Sequence, residues 1–149
     1  MKTLRLVQIA VWAGRIALGV TLLSAVADRF GLWGPYGSPR ASWGDWAHFV
    51  QYCAVVNSFA PAAVIPTLAW LATAFETIFG VALIVGFKVE YAAYGSAILF
   101  ALFAFAMTWS LGVKSPLNYS VFADAAGAFL LGALITMRRS LPESERQMA

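Results

Sequence analysis

Four apolar runs of 22 or 23 residues constrain this chain more than any other feature. Leu6 to Ala27 carries Arg15 as its only charge, and Pro66 to Phe87 carries only Glu76. Tyr91 to Val113 has no charge, and Pro116 to Met137 has only Asp124. At 1.5 Å per residue each run makes a helix of about 33 Å, which matches a hydrocarbon core of about 30 Å. With 61% hydrophobic and 11% charged residues, the chain is too apolar for a soluble domain of its size. The expected architecture is all-α. It is one four-helix transmembrane bundle over residues 1–149, with spans at about 6–27, 66–87, 91–113 and 116–137. A long outer loop at 28–65 and a polar tail at 138–149 complete it.

The net charge of +3 is explained by topology rather than by an acidic partner. Lys2, Arg5, Lys88, Arg138, Arg139 and Arg146 fall on one side of the four runs, against Arg29, Arg40 and Lys114 on the other. The positive-inside rule then puts both termini in the cytoplasm and makes the bilayer the first partner. No basic groove with interleaved aromatics is present, which argues against nucleic-acid binding. The arginine in the first run, and the lack of a small-residue cleavage site after a short apolar core, argue against a cleaved signal peptide. One cysteine, Cys53, and one histidine, His48, provide neither an internal disulfide nor a structural zinc site, so no metal is expected.

Short connections at Lys88-Val89-Glu90 and Lys114-Ser115 predict tight turns between the last three spans. The outer loop has two halves. Phe30 to Pro39 is rich in Gly and Pro and reads as an ordered turn region. Ser42-x-x-Asp45 then resembles a capping box ahead of a short interfacial helix from Trp46 to Asn57, ended before Pro61. Trp46, Phe49, Val50 and Cys53 share one face of that helix, while Asp45, His48, Gln51 and Tyr52 fall largely on another.

Ionisable residues within spans are costly and mark internal pairs or sites. Counted from the flanking basic residues, Arg15, Glu76 and Asp124 fall within about 6 Å of one depth. The expectation is therefore one Arg15–Glu76–Asp124 cluster, with Arg15 and Glu76 in direct contact because a guanidinium satisfies a carboxylate bidentately. Thr73, Thr77 and Gly80 share the helical face of Glu76, and Ser120 and Gly127 share that of Asp124. Two meanings stay open: a bridge that only specifies packing, or a polar pocket for a ligand head group or proton path.

The secondary candidates carry bland alternatives. Asp28 with Arg29 reads as a cap or surface pair at the end of the first span. His48 reads as a solvated histidine, Trp33, Trp43 and Trp46 as interfacial anchors, and Cys53 as packing. Asn118, Tyr119 and Ser120 are placed to close the outer end of the bundle.

Arg15-Ile16-Ala17-Leu18-Gly19, Ser24 to Gly34, Trp43-Gly44-Asp45-Trp46, Glu76 in a Gly-containing second span and Ser115 to Ser120 before Asp124 together resemble the bacterial DoxX family of membrane proteins. The resemblance runs from about Arg15 to Met137. It implies a compact four-helix bundle in the bacterial inner membrane and an association with membrane redox-complex subunits. It transfers no catalytic motif, so enzymatic activity stays undecided. The leading expectation is a small accessory or redox subunit that binds a quinone or another amphipathic molecule near the charge cluster. A non-enzymatic scaffold or assembly chaperone and a small proton-coupled transporter are the alternatives. Homo-oligomerisation stays open.

Overall fold

The computed structural model describes residues 2–140, with side chains from residue 5 onward. Six helices follow one another: α1 (Lys2–Arg29), α2 (Trp46–Val56), α3 (Ile65–Val85), α4 (Val89–Leu111), α5 (Lys114–Asn118) and α6 (Val121–Ser140). A single 3-10 turn, Ala62–Val64, leads into α3. Helices α1, α3, α4 and α6 are each long and apolar enough to cross a membrane. The expected four-helix bundle with a helix-bearing outer loop is therefore what forms. The remainder of the expected polar tail, including Arg146, lies outside the described residues.

The bundle closes as a ring in which α1 packs on α3 and α6, and α4 packs on the same two helices. Small residues allow these close approaches where lipid removes the usual hydrophobic drive between helices. Ala92, Ala93, Ser96, Ala97 and Ala104 are buried on α4, together with the larger Leu99, Phe100 and Met107. Gly132 of α6 lies under the Tyr94 ring, where a Cβ would sit 2.9 Å from ring carbons. Gly19 of α1 faces Gly80 of α3, and a Cβ on Gly19 would come within 3.1 Å of the Gly80 carbonyl oxygen. That backbone-to-backbone crossing fixes the vertical register of the two antiparallel helices.

Two boundaries differ from expectation. Residues 114–118 form the short helix α5 rather than a plain turn, and Ser120, at φ 58, breaks the chain before α6. Asp124 consequently stands in the first turn of α6, near its outer end, and not at mid-span. The N-cap of α2 is Asp45 rather than Ser42, and its Oδ1 accepts from the His48 backbone N–H at 2.9 Å. Asp45 caps from an extended backbone conformation, leaving Ser42 to a different task described below.

Helix α2 packs against α3 and α4 as the sequence periodicity requires. Phe49 and Cys53 are buried with Ile65 and Ala69, and Trp43, Trp46 and Val50 pack around them. Val56 joins the main core beside Leu22 and Leu83. Ser110 of α4 ties down the end of α2 by donating to the Val56 carbonyl at 2.9 Å. At the opposite end of the bundle, Arg139 of α6 pairs with Glu90 of α4, and Thr136 donates to the same carboxylate at 2.8 Å.

Candidate functional site

The register set by Gly19 and Gly80 decides which charges meet. Arg15 lies four residues before Gly19 and so comes level with Ile84, at the C-terminal end of α3. There its Nε donates to the Leu83 carbonyl at 3.0 Å and its Nη2 to the Ile84 carbonyl at 3.3 Å. Both are among the last carbonyls of α3, which have no partner within the helix. Another of these, on Ala82, accepts from the backbone N–H groups of Gly86 and Phe87. Arg15 is thus a cap supplied by a neighbouring helix, and its positive charge sits at the negative end of the α3 dipole. The Trp12 ring covers it at 4.2 Å.

The expected Arg15–Glu76 contact is therefore absent, and the partner of Glu76 is Arg29. Arg29 Nη2 lies 2.8 Å from Glu76 Oε1 and 2.6 Å from Oε2. Its Nη1 donates to Thr73 Oγ1 at 2.7 Å, and the Thr73 hydroxyl in turn donates to the Ala69 carbonyl at 2.8 Å. Both charged side chains are only 3% exposed. Arg29, expected as half of a surface pair, is in fact among the most buried side chains of α1. Depth counting failed because it anchored α1 at Arg5 and assumed that every span fills the bilayer alike. The helix is instead shifted inward relative to α3.

The outer loop roofs this pair. Asp28 Oδ2 accepts from the backbone N–H groups of Ser42 at 2.8 Å and Trp43 at 3.0 Å. This is the role that Ser42 plays in place of capping α2. Asp28 thereby holds Trp43 with its ring centre 5.4 Å from the Arg29 guanidinium carbon, while the Phe49 ring lies over that carbon at 3.7 Å. Cation–π contacts of this kind strengthen where water is excluded. Cys53 borders the pair. Burial pushes its thiol up to about 11, with Arg29 opposing that rise and Glu76 adding to it. Among the described residues, three buried atoms of the site have no hydrogen-bond partner: Asp28 Oδ1, Arg29 Nε and Glu76 Oε2. Glu76 Oε2 keeps its close charge contact with Nη2 but accepts no well-aligned hydrogen bond.

The other candidates fall elsewhere. Asp124 is half-buried in α6, and among the described residues no ion pair joins it to Arg15 and no hydrogen bond joins it to Glu76, so the three-charge cluster does not form. Thr77 donates back to the Thr73 carbonyl at 2.7 Å and does not reach Glu76. Asn118 accepts from Lys114 at 3.4 Å, on the outer surface. Ser120 occupies the chain break before α6, and Tyr119 beside it is exposed. His48 is held by the loop: its Nδ1 lies 2.7 Å from Asp45 Oδ2, and its ring stacks on Tyr36 with centroids 3.6 Å apart.

Residue-type reasoning therefore found Glu76, Thr73 and Asp28 but misplaced Arg29 and passed over Phe49 as part of the roof. The usable signal was the Gly19 and Gly80 pair, which sets an antiparallel register in which Arg29 reaches Glu76. Together the helices and the roofed pair define a multi-pass membrane bundle with a closed ionic site beneath its outer loop. Comparisons with protein-family models, curated proteins and solved structures found no match to this chain.

Proposed function

We propose that the chain is a DoxX-like protein of the bacterial inner membrane, with both termini cytoplasmic, that acts as a non-enzymatic accessory or scaffold subunit. The observation that carries this reading is that its buried ionic groups serve its own architecture. Arg15 closes the end of α3, and Arg29 with Glu76 and Asp28 fastens α1, α3 and the outer loop together. A single-pair latch that binds three segments is what a packing device requires, and such polar specificity has a stability cost that apolar packing would not carry. The Lys/Arg asymmetry supports the orientation, and Arg15 at the inner end of α3 adds to the basic side.

A second reading, an amphipathic small molecule such as a quinone held by its polar head, is favoured by the unpartnered Arg29 Nε and Glu76 Oε2. The Arg29 guanidinium lies against the Phe49 and Trp43 rings, which are able to flank a flat ligand. Purification in native lipid followed by mass spectrometry of intact complexes and of organic extracts separates the two. The scaffold reading expects a stable partner subunit and no stoichiometric extractable ligand. A stoichiometric lipid-soluble compound that disappears in an Arg29→Leu/Glu76→Leu variant would replace it with the ligand reading.

A further inference from the structure

We propose that the first turn of the outer loop, Phe30 to Gly34, is immersed in the acyl chains of the outer leaflet, so that the loop begins inside the bilayer. This rests on the reading that α1, α3, α4 and α6 span a membrane.

The register gives the depth. Arg29, ten residues above Gly19, is level with Trp70, which lies five residues inside the outer end of α3. The aromatic contacts agree, because Trp46 meets Trp70 in a tilted pair with centroids 4.2 Å apart and Phe30 stacks on Trp46 at 6.1 Å. Helix α1 therefore stops about 7 Å short of the outer end of α3 at 1.5 Å per residue. The chain then turns back on itself. Trp33 donates its indole N–H to the Ser24 carbonyl at 3.1 Å. Ser24 is level with Phe75, about 15 Å inside the outer end of α3 by the same rise.

The chemistry of the turn suits hydrocarbon. Residues 30–39 contain no charged side chain. Leu32 is 73% exposed and Trp33 47%, with Phe30 exposed beside them, as are Val20 of α1 and Trp70 and Leu71 of α3. In lipid every backbone and indole donor must be satisfied within the protein. Four of the five backbone N–H groups of residues 30–34 find acceptors in the turn: Phe30 N–H and Leu32 N–H donate to the Ala27 carbonyl, Gly31 N–H to Asp28 and Gly34 N–H to Gly31, while that of Trp33 makes no backbone hydrogen bond among the described residues. The indole of Trp33 meets the same requirement through Ser24. A water-exposed loop has no need to fold an indole back along a lipid-facing helix to find an acceptor.

Nitroxide labels read by paramagnetic relaxation test this in lipid nanodiscs, in a Cys53→Ala background. Labels at Leu32→Cys and Phe30→Cys are compared with Val20→Cys on the lipid-facing side of α1 and Arg40→Cys in the loop. The expected result is an oxygen-to-nickel-chelate collision ratio at 30 and 32 several-fold above that at 40 and close to that at 20. A ratio matching position 40, with position 20 still lipid-like, overturns the proposal while leaving the membrane reading intact. Protection from both reagents at 30 and 32 overturns it in favour of a protein contact. A water-like value at position 20 overturns the membrane reading itself. Two label sites guard against one substitution misfolding.

Discussion

Arg29 of α1 reaches Glu76 of α3 across the bundle, its Nη2 2.6 Å from one carboxylate oxygen and 2.8 Å from the other, under a phenylalanine ring contributed by the outer loop. Three segments distant in sequence meet at this contact, so its removal is felt by all of them.

Stranding either charge should be costly. Arg29→Leu or Glu76→Leu is expected to lose about 3–5 kcal/mol, whereas the Arg29→Leu/Glu76→Leu double variant should recover most of that loss. Equilibrium unfolding in detergent measures the three. A double variant no more stable than the worse single one would show that the pair is not what the single variants disrupt.

Arg15 should behave independently. Arg15→Leu uncovers the Leu83 and Ile84 carbonyls, each orphaned buried group costing about 1–3 kcal/mol. Because it shares no partner with Glu76, its effect should add to that of Glu76→Leu. Gly86→Ala should damage the same joint, since Gly86 sits at φ +89 with its Cβ position 2.6 Å from Arg15 Nη2. Rescue of Glu76→Leu by Arg15→Leu would contradict the assignment.

The loop contains a paired test of backbone tolerance. Gly44 and Gly37 both have positive φ, but a Cβ on Gly44 would collide with the backbone of Pro35 and Tyr36, whereas one on Gly37 meets nothing within 4 Å. Gly37→Ala should cost about 1–2 kcal/mol through φ alone. Gly44→Ala should cost clearly more and should expose the roof over Arg29, seen as faster proteolysis of residues 30–45. Equal effects would mean that the loop does not pack as described.

Cys53 offers a pH readout of the roof. A thiol held at about 11 is only about one part in a thousand thiolate at pH 8, and the thiolate is the reacting form. Alkylation in the folded protein should be very slow at neutral pH and accelerate up to about pH 11. Phe49→Ala, which thins the cover over Arg29 and Cys53, should raise the rate at pH 8. Rapid labelling of the unaltered protein at neutral pH would show that α2 does not stay seated.

What the sequence alone determined was local. Run length and hydropathy specified four membrane-length helices, because the bilayer tests each segment by its own composition. Gly and Pro marked the ordered loop, and the spacing of Trp46, Phe49, Val50 and Cys53 gave the buried face of α2. The presence of Glu76 inside a span required some positive partner. Which partner was a tertiary decision. Arg15 and Arg29 lie on the same helix, and a shift of α1 along its axis exchanges one for the other at Glu76. That shift is set by the Gly19–Gly80 crossing and by the fit of α2 above the end of α1, contacts between segments that no count along a single helix contains. The same displacement carries Arg15 to the open carbonyls of α3. Depth within the bundle was a property of how the helices fit one another.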